Sequence, residues 1–244
     1  MTILRGLAPH VYGDDPVTRG LISQWWARRA DGANPRAPGS TSTTWKDLVG
    51  TNDATLTGMT FNETNIDGWI GDGIASPHGV RFNGTSGYSL AGNPSNLQFS
   101  VGTIECWMES SLSQAGANNF LLGKENAYSL FVANTGVIQY YGWGGAGGIK
   151  TTSSANVLDG KPHHIVHTFD SGANQGLLYL DGVNVATTNG SQYAATNQTG
   201  NFKFGGLFTA GFPDWFKGAI HMVRAYNVVL TAAEAAQNFR AGVY

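Results

Sequence analysis

The sequence predicts an all-β protein with one short helix near its C-terminal end. Three observations carry that reading. Glycine supplies 34 of 244 residues, about twice its usual frequency of roughly 7%. Charged residues make up 12% of the chain, about half the typical ~25%. Short runs of β-branched and aromatic residues alternate with Gly, Asn, Asp and Pro, the pattern of short strands joined by tight turns. The hydrophobic content of 41% supports a sizeable core. All-β chains of this length are routinely single domains.

In chain order, residues 1–19 show neither helical nor strand periodicity. Apolar Leu4, Leu7, Val11 and Tyr12 are mixed with Gly6, Pro9, Gly13 and Pro16. The expectation is an N-terminal arm that packs on a partner subunit through those side chains, with residues 20–244 as the folded body. Residues 21–26 read as the first strand, and the Pro/Gly/Ser/Thr-rich stretch 31–44 as a loop. Asn83-Gly84 is a turn signal between β-formers. Further strands are expected at 99–109, 120–122, 128–132 and 137–141, with a hairpin loop at 134–136. Asp181-Gly182 is the strongest hairpin signal, because both residues tolerate the positive φ of a type I′ turn. The helix follows Thr231. With Glu234 this threonine forms a capping box, Ala-rich residues continue the helix, and Gly242 stops it.

Charge and cysteine content exclude several classes. The 14 basic and 16 acidic residues leave a net charge of −2. No basic run extends beyond Arg28-Arg29, so a nucleic-acid partner is not expected. The single Cys106 cannot form an intrachain disulfide and reads as a buried thiol. No apolar run approaches the ~20 residues that span a bilayer, so no membrane insertion is expected. The first ten residues lack the apolar core of an export signal.

Two stretches carry a resemblance. One is Pro162-His163-His164-Ile165-Val166-His167-Thr168-Phe169-Asp170 with Leu178-Tyr179-Leu180-Asp181-Gly182-Val183-Asn184-Val185. The other is Phe216-Lys217-Gly218-Ala219-Ile220-His221-Met222-Val223-Arg224-Ala225-Tyr226-Asn227, closing on Leu230-Thr231-Ala232-Ala233-Glu234. Together they resemble the C-terminal half of a laminin-G-like domain of the concanavalin A-like superfamily. The resemblance implies a two-sheet antiparallel jelly-roll sandwich that serves as a rigid binding platform. The family favours an acidic Phe-Asp-Gly-x-Asp-Asp-Tyr pattern, where this chain has Phe82-Asn83-Gly84-Thr85-Ser86-Gly87-Tyr88. Its carboxylates are gone. No cofactor is expected, and calcium is left open only by the family's rim site, which needs hard oxygen ligands.

Glucanases of the superfamily carry Glu-x-Asp-x-Glu on one strand, and Glu105-Cys106-Trp107-Met108-Glu109 has the outer spacing. Trp107 stands where the Asp would be, and residues i and i+4 of a strand are about 13 Å apart, too far for a retaining pair. No catalytic residue is expected. His163, His164 and His167 read as sheet histidines, without metal-ligand spacing. Residues 142–147 satisfy GxGxxG but precede a strand-like run and not a helix, so they read as a loop.

The best binding candidates are aromatic. Tyr141 and Trp143 border the glycine-rich loop, and Phe212 and Trp215 flank Pro213 in a second loop. Aromatic faces offer apolar area to sugar C–H faces. The leading expectation is a non-enzymatic virion surface protein, a bacteriophage capsid decoration or tail accessory subunit. It would bind capsid or tail protein, and a host-surface glycan through the loop aromatics, as a homo-oligomer. The alternatives are a secreted, extracellular carbohydrate-binding or adhesion module, and a glycoside hydrolase.

Overall fold

The computed structural model describes residues 15–27, 40–61, 67–70, 79–111, 119–142, 148–189, 199–209 and 212–242. In chain order the strands are β1 (Leu21–Trp26), β2 (Thr44–Trp45), β3 (Ala54–Thr57), β4 (Gly68–Ile70), β5 (Gly79–Asn83) and β6 (Tyr88–Gly92). Next come β7 (Val101–Glu109), β8 (Asn119–Lys124), β9 (Tyr128–Val132), β10 (Ile138–Gly142), β11 (Gly148–Thr152) and β12 (Pro162–Asp170). The series closes with β13 (Gln175–Leu180), β14 (Val183–Asn189), β15 (Phe202–Phe204), β16 (Gly206–Thr209), β17 (Phe212–Trp215) and β18 (Lys217–Tyr226), followed by helix α1 (Ala232–Ala241).

The strands form two antiparallel eight-stranded sheets and a hairpin, consistent with a jelly-roll sandwich. The first sheet runs β14-β13-β12-β7-β18-β5-β4, with β1 also on β18. The second runs β11-β10-β9-β8-β15-β6-β3-β2, and among the described residues β16 pairs only with β17. Strand β18 serves two partners along its length: Lys217 to Ile220 pair with β5, and Met222 to Tyr226 pair with β1. A register shift against β7 falls between Ile220 and Met222, where one partner takes over from the other.

Period-two alternation sorts the side chains. Ile104, Cys106 and Met108 of β7 and Ile165 and Phe169 of β12 enter the core, where Tyr128, Leu130, Val132, Ile138 and Tyr140 of the second sheet meet them. Each such burial contributes about 1.5–3 kcal/mol. Aromatic rings interlock across the gap. Trp25 stacks on Phe202 at 5.5 Å, and within the second sheet Trp45 meets Phe204 edge-on at 5.1 Å. His167 stacks on Tyr140 at 3.7 Å. Burial pushes the His167 imidazole down to about 3, so it is neutral at pH 7.

The turn and helix signals are realised as read. Asp181 and Gly182 have φ values of 50° and 79° between β13 and β14. Thr231 Oγ1 accepts from Glu234 N, and the Glu234 carboxylate accepts from Thr231 N at 2.8 Å. Helix α1 lies on the outer face of the first sheet, where Phe239 stacks on Trp107 at 5.7 Å and Ala235 packs with Val166 and Tyr179.

Two sequence expectations change. Trp215 is not in a loop: β17 pairs with β16 in register from Gly206–Trp215 to Thr209–Phe212. Pro213 is compatible with that strand because the hairpin has only one partner per strand, leaving an edge where no N–H is needed. The last part of the expected arm, residues 15–19, packs on its own chain. Val17 is buried with Tyr226 and Leu230 and donates its N–H to Asn238 Oδ1 at 2.8 Å. Arg19 grips Glu234 through both carboxylate oxygens at 2.8 Å each. Leu4, Leu7, Val11 and Tyr12 lie outside the described residues.

Candidate binding face

The outer face of the second sheet is set by the same alternation. Phe202 and Phe204 point into the core, so Lys203 between them points out. Tyr140 points in, so Tyr141 points out. The registers then align Tyr141, Ser129, Gly123, Lys203, Leu90 and Thr55 in one row across six strands. The neighbouring row holds Gln139, Phe131 and Phe120. Phe120, Phe131 and Tyr141 form an apolar cluster separate from the main core. Their ring centroids are 5.3 Å and 4.9 Å apart.

At the other end of the row, Tyr88 of β6 lies beneath Lys203 Nζ at 5.3 Å and beside Trp215 at 6.1 Å. Gly206 makes the Trp215 position available, since a Cβ there would fall 2.6 Å from the indole. Tyr141 and Tyr88 are four strands apart, about 19 Å. Both ends are partly exposed aromatic surface, joined by small and polar side chains.

The polar groups between them are neutral or neutralised. Lys203 Nζ donates to Glu125 Oε1 at 2.6 Å, while Glu125 Oε2 accepts the Asn201 N–H at 3.1 Å. Ser129 Oγ and Gln139 Oε1 are buried atoms without a hydrogen-bond partner, although each such group is normally satisfied. Asp214 in β17 is pushed up to about 6 by burial. It alternates with Trp215 and so leaves the hairpin on the opposite side.

Of the sequence-derived candidates, Tyr141 and Trp215 occupy the two ends of this face without touching. Trp143 lies outside the described residues, and of Phe212 the structure describes the backbone, in β17. Tyr88, Lys203, Ser129 and Gln139 were not singled out from the sequence. The Phe-Lys-Phe alternation at 202–204 was a usable signal for an outward lysine, but it did not say what else would share its face.

The outer face of the first sheet holds the two acidic candidates. Glu105 is fully buried under α1. It accepts from Arg224 Nη1 at 2.8 Å, Asn238 Nδ2 at 2.7 Å and pairs with His164 Nε2 at 3.1 Å. Although burial alone would raise its pKa, the Arg224 charge and these hydrogen bonds hold it down to about 2. Glu109 is half-buried and also held low, chiefly by hydrogen bonding to His221. A glycosidase acid must be held protonated, and both carboxyls are shifted the other way. His163 is clamped by Asp181 and Asp159 at 2.9 Å and 3.0 Å, which raises its pKa, Asp181 first.

Calcium does not fit the Asn83 turn. Asn83 Nδ2 donates to Asp67 Oδ2 at 2.9 Å, and its Oδ1 accepts from the N–H groups of Thr85 and Ser86. Asp67 further accepts from Thr60 and Phe61. An amide donor thus faces the carboxylate where a cation would need another oxygen. Among the described residues no cluster of His, Cys, Asp or Glu is arranged to hold a metal ion.

The family model for the concanavalin A-like lectin/glucanases superfamily matches residues 83–236. No curated protein matches the chain. Among solved structures, Trypanosoma rangeli sialidase in complex with sialic acid superposes with TM-score 0.64 at 16% identity, over 93% of this chain and 34% of that one. The CBM40 of Ruminococcus gnavus IT-sialidase superposes with TM-score 0.54 at 20% identity, over 65% of this chain and 94% of that one. The same CBM40 bound to alpha2,3 sialyllactose gives 0.55 at 20%, with the same coverage. This chain therefore spans about a third of the length of the sialidase, and at these identities the likeness shows the fold.

These neighbours correct the expectation of a virion subunit. They are a sialidase and a carbohydrate-binding module, and none is a capsid or tail protein. A platform fold hosts many unrelated functions and does not by itself point to a virion role.

Proposed function

The chain belongs to the concanavalin A-like lectin/glucanase superfamily, and from that premise we propose that it is a non-catalytic carbohydrate-binding module. Its binding face is the outer surface of the second sheet. The observation that carries this reading is the pairing on that face of partly exposed aromatic rings with unsatisfied neutral polar atoms. Tyr141, Tyr88 and Trp215 offer apolar faces to sugar C–H groups. Ser129 Oγ and Gln139 Oε1 beneath them are buried and carry hydrogen-bonding capacity that the protein leaves unused, which a hydroxyl-rich ligand would complement only where side chains over them move. The solved CBM40 bound to alpha2,3 sialyllactose supports the class of ligand.

The non-catalytic part rests on carboxylates. Glycoside hydrolysis ordinarily needs two, one protonated. On this face Glu125 is closed by Lys203 at 2.6 Å. Asp214 is a lone acid on the far side of its hairpin. Glu105 has both oxygens engaged beneath α1.

Titration calorimetry against an oligosaccharide panel tests the reading. Tyr141→Ala and Trp215→Ala should each weaken binding by about 1–2 kcal/mol, up to roughly thirtyfold. Absence of saccharide binding, or unchanged affinity in both variants, would overturn it. Release of reducing ends from any bound glycan would overturn the non-catalytic assignment.

A further inference from the structure

Resting on that reading, we infer that the face selects uncharged saccharides over acidic ones, and that Glu125 enforces the choice. A sugar carboxylate is best held by a free cation, most often arginine in bidentate contact. The strands of the second sheet contain no arginine and no acidic residue; their charged residues are Lys124, Lys150 and Lys203. Lys203 is the cation placed in the aromatic row, and its ammonium is already joined to Glu125 at 2.6 Å. It is only 7% exposed.

Lys124 is turned away. Its neighbour Gly123 stands in the outer row, so Lys124 points to the opposite side. There its Nζ donates to Asn93 Oδ1 and to Gly200 O at 2.6 Å, fully buried. The connections 112–118, 143–147 and 190–198 contain no charged residue at all. Of the sheet lysines whose side chains the structure describes, Lys203 and Lys124, only Lys203 faces this side, and an acidic ligand would have to pull it from Glu125 and leave that carboxylate facing it. Two like charges at such a distance repel. A neutral polyol meets no such cost.

The pair also constrains geometry. Glu125 holds Lys203 Nζ over the Tyr88 ring at 5.3 Å, beside Trp215. This keeps the ammonium from extending toward the centre of the face. Glu125 is thus a specificity-determining residue that need not touch the ligand.

Calorimetry with matched neutral and sialylated oligosaccharides, on the whole chain, tests this. The native protein should bind the neutral member at least tenfold more tightly. Glu125→Gln should keep the Asn201 hydrogen bond, free the Lys203 charge, and raise affinity for the acidic member on the order of tenfold. That gain should vanish in Glu125→Gln/Lys203→Gln and shrink with added salt. Equal or tighter binding of the acidic member by the native protein overturns the selectivity while leaving the carbohydrate reading intact. An unchanged ratio in a Glu125→Gln protein with native near-UV circular dichroism overturns the role of Glu125. Should that variant fail to fold, Lys203→Gln alone decides: it leaves the Glu125 carboxylate uncompensated, so discrimination against the acidic member should rise at low salt, and an unchanged or smaller ratio refutes the role of Glu125. Binding of neither member removes the carbohydrate reading itself.

Discussion

Under α1, on the outer face of the first sheet, Glu105, Arg224, His164, Gln24 and Asn238 form a closed hydrogen-bonded cluster. On the outer face of the second sheet, Ser129 and Gln139 sit among tyrosines with polar atoms left unbonded. The two faces come from one sandwich and the same strand periodicity. They differ in what their polar groups are doing. In the first, Glu105 has both oxygens bonded by Arg224, Asn238 and His164 Nε2, with only His164 Nδ1 of the cluster left unbonded, and the cluster fastens the helix and residues 15–19 to the sheet. In the second, the capacity is unspent, which is the property a binding surface needs. A charged residue in a strand of this fold thus marks structure more readily than function.

The largest expected effect comes from breaking the first face. Glu105→Ala should destabilise the fold by about 3–5 kcal/mol, because it strands a buried guanidinium. Glu105→Leu with Arg224→Met should recover most of that loss. Urea denaturation reads both, and a loss under about 1 kcal/mol for the single variant would contradict the closed-cluster description.

Acid should act on the core between the faces. His167 is held at about 3 when folded and starts from 6.5 when unfolded. A depressed folded value means that the unfolded chain takes up the proton first. Its contribution is complete above pH 6.5 and is lost as pH falls toward 3, amounting to about 3 kcal/mol by pH 4. Glu105, held at about 2 against 4.5, adds to the loss only below roughly pH 4.5. Chemical denaturation across pH 4–7 should therefore show a slope that His167→Phe flattens. Equal slopes in the two proteins would exclude His167 as the titrating group.

A smaller effect is expected at the hairpin. Gly206→Ala forces the Trp215 indole to move, at about 1–3 kcal/mol of stability, with weaker saccharide binding. Smallest of all is Ser129→Ala. Its hydroxyl bonds to nothing, so stability should change by less than about 0.5 kcal/mol or rise slightly. Saccharide affinity should still fall by roughly fivefold, about 1 kcal/mol. A large stability loss from Ser129→Ala would mean that this face, too, is structural.

Short-range signals were legible because their physics is local. The positive φ at Asp181 and Gly182, the Thr231–Glu234 capping box and the stop at Gly242 each need only adjacent residues. Tyr141 could be chosen as a candidate because it adjoins a glycine-rich connection. The short strands β15, β16 and β17 were harder, since Phe202 to Trp215 is broken by glycine and proline and reads locally as loop.

The all-β class, the lack of an intrachain disulfide, the helix with its caps and the inward–outward alternation of each strand follow from local chain chemistry. Which outward residues share a face depends on strand order and register. Tyr141, Ser129, Lys203 and Leu90 come from separate parts of the chain and meet because strand order and register bring them into one row. Tertiary structure also decides that Glu105 is an anchor and not an acid, because a carboxylate's role depends on its neighbours. Those neighbours, Arg224 and Asn238, lie more than a hundred residues away along the chain.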